Sequence, residues 1–220
     1  MTMLNSDRAN TRGRLTGMRR RREQADPVAD FIARGLPVVP AAAPSSTGPG
    51  CSCTRVGCPA PGAHPLSRSW RKEASTDPAQ LARWRTRLPD TNYATPTGRT
   101  HDVLEVPATA GARALDSLLA AKEPVGPVAT TASGDRYLFF TTARPGTGDG
   151  DDEWWACDLD ARPETTDTSG LRWHTRGSYV LLPPARAMNG RTARWIHDPQ
   201  ADLPDPLRIL GTLADACEAA

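Results

Sequence analysis

At 220 residues, 38% of them hydrophobic, the chain is long enough for one sizeable domain with its own core and leaves part of its length unpacked. The 27 Lys and Arg against 25 Asp and Glu give a formal charge of +2, too small by itself to indicate nucleic-acid binding, so where the charge sits matters more than its sum. No run of about eighteen apolar residues occurs and no apolar stretch follows the basic N-terminus, so the expectation is a cytoplasmic protein with no membrane partner.

Residues 1–24 are polar and Arg-rich, with Arg12, Arg14 and the run Arg19 to Arg22, and read as a basic arm. A solvated tail and transient contact with nucleic acid are equal readings of it. One domain is expected over 25–220. Asp26-Pro27 supplies an N-cap and a first-turn proline, Val28, Phe31 and Ile32 share a face, and Gly35 ends the helix. Leu36 to Pro40 reads as a strand, and a Pro/Gly/Ser/Cys-rich loop runs over about 41–68.

Thr76-Asp77-Pro78 caps a second helix carrying Leu81 and Trp84. Asp102 to Val106 reads as a strand, followed by a helix over 109–121 that buries Ala114, Leu115, Leu118 and Leu119. Val125 to Thr131 and Tyr137 to Thr142 form a hairpin around Ser133-Gly134-Asp135. After the acidic glycine-rich stretch Gly146 to Glu153, strands are expected at Trp155 to Asp158, Leu171 to His174 and Ser178 to Leu182, and a last helix over 205–218. This mixture predicts an α+β domain around a mixed β-sheet with flanking helices.

Within the loop, over 48–66, the pattern Cys51-x-Cys53-x4-Cys58-x5-His64 offers three thiolates and one imidazole, the ligand set of a closed structural Zn²⁺ site. The loop has too few apolar residues for a core of its own, and a metal would supply that stability. The alternative is a set of incidental thiols, with His64 merely preceding a turn at Pro65. Cys157 and Cys217 lie far along the chain and read as small packed residues.

Several segments line up in order: the cysteine loop with His64-Pro65, Trp70, Ala74-Ser75-Thr76-Asp77 before the Trp84 helix, Pro89-Asp90-Thr91-Asn92-Tyr93-Ala94, and Thr97-Gly98 leading into Val103-Leu104. They continue with Thr131-Ala132-Ser133-Gly134-Asp135-Arg136-Tyr137-Leu138-Phe139-Phe140 and Gly177-Ser178-Tyr179-Val180-Leu181-Leu182-Pro183-Pro184. Over about 26–200 the chain resembles the bifunctional DNA primase/polymerase (prim-pol) domain of the archaeo-eukaryotic primase superfamily. That resemblance implies a prim-pol-like sheet with an inserted zinc loop, and nucleotidyl transfer by two Mg²⁺ or Mn²⁺ ions held on carboxylates.

Carried over position by position, the resemblance makes Glu105 the first acid of the catalytic pair, while Pro107 stands at the second. Asp102 is close in sequence but on a strand points to the opposite face from Glu105. In the Ser-Gly-Gly-x-His segment Asp135 replaces the second glycine and Tyr137 the histidine, and Arg172 stands where the third acid belongs. The implied reading is a domain that keeps fold and zinc with an impaired or inactive centre, still binding single-stranded DNA or nucleotides. The residues expected to touch them are Arg136, Tyr137, Arg172, His174 and Arg176. A divergent active enzyme using Glu105 with metal ions is the alternative, and a scaffold for a protein partner is a third.

If Arg172 and His174 share one strand face, that face is basic and suited to phosphate; an ordinary mixed surface is the competing reading. Trp70, Trp84 and Trp173 fit core packing better than base stacking. Asp149, Asp151, Asp152 and Glu153 lack the alternation of a calcium loop and read as a solvated loop.

Overall fold

The computed structural model describes residues 26–45, 50–53, 55–144 and 170–219, together with the backbone of 164–165. The basic arm, the acidic stretch 146–153, the strand expected at Trp155 to Asp158 and Cys157 lie outside the described residues.

Helix α1 (Pro27–Ala33) starts where the sequence says it should: Asp26 accepts from the Ala29 N–H and Pro27 occupies the first turn. The first strand is short and later than expected, β1 (Val39–Ala41). A one-turn helix α2 (Trp70–Glu73) buries Trp70, and α3 (Pro78–Arg87) is capped by Asp77. Then come β2 (Asn92–Pro96), β3 (His101–Pro107), α4 (Ala108–Ala120), β4 (Val128–Thr130) and β5 (Arg136–Thr142). The chain ends with β6 (Glu164–Thr165), β7 (Arg172–His174), β8 (Tyr179–Leu181), β9 (Trp195–His197) and α5 (Pro206–Glu218).

Among the described residues the strands divide into two sheets in which every pairing is antiparallel, a three-stranded one ordered β1-β2-β8 and a six-stranded one ordered β6-β7-β3-β5-β4-β9. The α+β class with flanking helices and an inserted cysteine loop therefore holds. Strand alternation gives the large sheet two different faces. Leu104, Val106 and Phe139 pack with α4 and α5 through Ala114, Leu118, Ile209 and Leu213. Val103, Leu138 and Phe140 face the other way, onto α1, α3 and the small sheet.

Two glycines are required by close approach. A Cβ on Gly111 of α4 would lie 2.7 Å from the Tyr137 Cβ, so only glycine lets the helix settle on β5. Gly98, at φ +87°, leaves a Cβ only 2.0 Å from the Arg176 nitrogen. Leu119, expected in the core, is instead 46% exposed: it sits about 100° around the helix from Leu118, outside the stripe Ala110–Ala114–Leu118 that meets the sheet. Cys217 is buried, as expected of a small packed residue. Trp70 and Trp173 are buried and Trp84 is half-buried. Among the described residues no helix is long and apolar enough to cross a membrane.

Candidate functional site

The cysteine loop is closed at its base by backbone bridges Ala41–Pro65 and Pro44–Cys51, with the Ala42 N–H donating to the His64 carbonyl at 2.7 Å. Buried Asn92 of β2 fastens it further. Its amide donates to the carbonyls of Ala42 (3.0 Å), Gly62 (3.2 Å) and Arg186 (2.9 Å), and its oxygen accepts from the Arg186 N–H at 2.9 Å.

This scaffold brings the donor atoms of Cys51, Cys53, Cys58 and His64 within 4.8 Å of one another. His64 Nε2 lies 3.3 Å from Cys58 Sγ and 3.6 Å from Cys51 Sγ. A tetrahedral zinc with Zn–S of about 2.3 Å and Zn–N of about 2.0 Å has an S···N edge of about 3.5 Å, so the spacing suits that ion. The His64 Nδ1–H donates to the Pro65 carbonyl at 2.7 Å, which fixes the tautomer and leaves Nε2 for a metal. Burial works against a thiolate at Cys51, but N–H donors from Cys53 and Gly62 and a hydrogen bond with His64 bring its pKa down to about 7. Burial pushes Cys58 up to about 11, a value that a bound cation would reverse. The donor set, its geometry and the oriented imidazole all fit zinc, held by four protein ligands with no open position.

Beside this loop lies a cavity of about 510 Å³, walled by Pro61 to Ala63 of the loop, by Tyr179 to Leu181 of β8 and by the turn Ala187 to Asn189. Its floor is the large sheet, from which Glu105, Arg136, Arg172 and His174 project. Register explains the convergence: Glu105 pairs with Leu138 on one side and Arg172 on the other, and residues opposite each other in a ladder share a face. Arg136, opposite Pro107, joins the same face.

Glu105 is buried and both its oxygens are taken. Oε1 meets the Arg136 guanidinium and, at 3.0 Å, Nη1 of Arg172; Oε2 meets His174 Nε2 at 2.7 Å. His174 is held in turn by Ser178 through Nδ1 at 2.9 Å. Arg136 is fixed by the carbonyls of Gly170 and Glu105. Burial would raise the Glu105 pKa, but the His174 hydrogen bond and the charges of His174, Arg136 and Arg172 outweigh it and hold the group below its ordinary value, hence ionised. Asp135 at the cleft edge is also held low, by hydrogen bonds from Ser133 and Thr131.

The structure brings Glu105, Arg136, Arg172 and His174 together and leaves two expected residues out. Tyr137 is one position from Arg136, so alternation turns it to the opposite face, where it packs against Gly111 of α4. Arg176 lies in the turn between β7 and β8 against Gly98 and does not line the cavity. Asp102 likewise points away from Glu105, accepting from Trp173 Nε1 at 3.0 Å and from the Arg144 N–H at 3.2 Å. Sequence reasoning missed the walls, Pro61 to Ala63 and Ala187 to Asn189. No local pattern marks them, because only the tertiary fold sets the cysteine loop against the large sheet.

A pair of catalytic divalent ions needs several free carboxylate oxygens. Among the described residues the cavity is lined by two carboxylates, Glu105 and Asp135. This face carries Glu105 with both oxygens engaged by cations, a proline at 107 and a guanidinium at 172. Among the described residues, the zinc-type cluster is the one group of three or more His, Cys, Asp or Glu side chains close enough to share an ion.

A search among curated proteins returns no match. A scan against protein families matches residues 28–207 to "Bifunctional DNA primase/polymerase, N-terminal". That span runs from the first helix to the start of the last and takes in both the cysteine loop and the cleft, and by it the chain belongs to the family of bifunctional DNA primase/polymerase N-terminal domains.

Proposed function

We propose that this domain has lost efficient nucleotidyl transfer and holds phosphate groups of nucleotides or single-stranded DNA in the cleft between its two sheets. The observation that carries this reading is the state of Glu105, whose two oxygens are engaged by Arg136, Arg172 and His174. Guanidinium forks are suited to phosphate oxygens, and Arg172 is 44% exposed at the cavity mouth. A structural zinc on Cys51, Cys53, Cys58 and His64 would hold the Pro61 to Ala63 wall in place. Residues 25–220 act as one domain, with the segment 1–24 as a basic arm that adds phosphate contacts, in the cytoplasm, where thiols stay reduced for metal binding.

Primer extension with Mg²⁺ and with Mn²⁺, comparing the natural chain with Glu105→Ala, tests the loss of synthesis. No product is expected from either; product that disappears in the variant would establish a working divergent enzyme. Filter binding to a single-stranded oligonucleotide across a salt series tests the phosphate contacts. Affinity falling steeply with salt is expected, and no binding at low salt would favour a scaffold for a protein partner.

A further inference from the structure

We infer that Glu105 is an internal counter-ion occupying a metal-independent phosphate site, and that an incoming phosphate group displaces its carboxylate from Arg136 and Arg172. This rests on the phosphate-binding reading above and reverses the role that an acid in this position has in a metal-dependent enzyme.

The geometry is that of a carboxylate standing where a phosphate would. Arg172 Nη1 reaches Oε1 at 3.0 Å, Arg136 meets the same oxygen, and His174 Nε2 reaches Oε2 at 2.7 Å. Three donors from two strands thus converge on one small anion, the arrangement that also receives a phosphate with three acceptor oxygens. The floor is asymmetric in access. Glu105 and His174 are sealed (8% and 6% exposed), whereas the Arg172 side chain is 44% exposed toward the cavity. A ligand can therefore approach the guanidinium from the open side without first removing the carboxylate.

Charge balance makes the carboxylate a competitor. The cavity is lined by Glu105 and Asp135 against Arg136 and Arg172, so these two carboxylates and two guanidiniums cancel. Removing the charge of Glu105 leaves a net positive floor and two forks without an anion between them. Asp135 is already committed to Ser133 and Thr131 and does not replace it. The cavity, at about 510 Å³, is in the size range of small-molecule sites and is walled by Tyr179, Met188 and Asn189 beyond the charged floor. That leaves room for more than a bare phosphate.

The sign of one substitution decides the matter. If Glu105 served a metal, Glu105→Gln would weaken triphosphate binding, and only when Mg²⁺ is present. If it is the counter-ion, Glu105→Gln tightens binding and Mg²⁺ is irrelevant. The experiment is calorimetric titration of the zinc-loaded full chain, with and without Mg²⁺, using inorganic triphosphate, dATP and a 5′-phosphorylated oligonucleotide as separate probes. Glu105→Gln is expected to tighten at least one probe by about tenfold or more, and Arg172→Gln to weaken it by about tenfold. The probe that responds most identifies the phosphate source. A folded Glu105→Gln protein with unchanged or weaker affinity for every probe overturns the inference.

Should Glu105→Gln fail to fold, as loss of a buried ion-pair partner can cause, the natural chain and the half-exposed Arg172→Gln decide it. Binding by the natural chain that requires Mg²⁺, or that survives Arg172→Gln, overturns the inference; Mg²⁺-independent binding lost in Arg172→Gln sustains it. The two readings fail separately: primer extension by the natural chain refutes the loss of synthesis. An indifferent Glu105→Gln refutes only the counter-ion.

Discussion

Asn92→Ala should weaken the fold and the metal centre together. The Asn92 side chain is 3% exposed and forms four hydrogen bonds, three donated to Ala42, Gly62 and Arg186 carbonyls and one accepted from the Arg186 N–H. Alanine leaves that N–H and those carbonyls facing a space where the amide was, and each orphaned buried polar group costs about 1–3 kcal/mol. Two N–H bonds are shared among three carbonyls, so the costs do not add fully. A total of about 3 kcal/mol is the expectation, roughly a hundredfold in the folding equilibrium. With a urea m-value of about 2–3 kcal/mol/M for a domain of this size, the unfolding midpoint should drop by about 1–1.5 M. Because Ala42 and Gly62 belong to the loop that presents the thiolates, zinc should also pass to a competing chelator at lower chelator concentration. Denaturation followed by circular dichroism, paired with a chromogenic zinc-release assay, measures both effects. A midpoint within 0.3 M of the natural chain (roughly 0.6 kcal/mol on the same m-value), with zinc release unchanged, would refute the view that this amide joins the loop to the small sheet.

The purified chain should hold about one zinc, and Cys58→Ser should lose most of it, as read by elemental analysis; no zinc in the natural chain would sink the site. Gly98→Ala should cost at least about 2 kcal/mol and lower the melting temperature by about 4–8 °C, since its Cβ would lie 2.0 Å from the Arg176 nitrogen at a φ of +87°; an unchanged melting curve would contradict that packing. Stability should also fall in acid through Glu105. Its folded pKa lies below the ordinary 4.5, so its ion pairs contribute fully above that value and are lost as pH falls through the depressed one. The stability gap between the natural chain and Glu105→Gln should therefore be widest near neutral pH and close in acid; a gap that does not depend on pH would refute it.

Local signals made the helices legible. Asp26, Asp77 and Asp205 each cap a helix whose first turn is proline, and each accepts a backbone N–H two or three residues on. The cysteine loop was legible for the same reason, its four donors lying within fourteen consecutive residues. Strand β2 was not. All but the last of its residues are buried, polar Asn92 and Thr95 among them, so it shows no alternation to read. Strand β9, half-buried throughout and short, lies at the sheet edge beside β4 and carries no pattern either. The cleft was legible where one register sufficed: Glu105, Arg172 and His174 meet as alternation requires. Of the two adjacent residues expected there, Arg136 reaches the carboxylate and Tyr137 turns to the other face, a choice that alternation makes at a single residue.

The charged residues in the cleft compensate one another. A carboxylate as buried as Glu105 would be strongly disfavoured alone, and so would a guanidinium with the low exposure of Arg136. Set on one sheet face with Arg172 and His174, they satisfy each other without any added ion. The cysteine loop is the opposite case. Its three thiols and one imidazole form a donor set that a metal ion could join. The domain thus contains two sites of opposite logic, side by side against one cavity. One is a cage that calls for a cation. The other is a face on which Arg136, Arg172 and His174 already hold the Glu105 carboxylate. The wall Pro61 to Ala63 joins them, so stripping zinc should loosen the cleft, while altering the cleft should leave zinc in place.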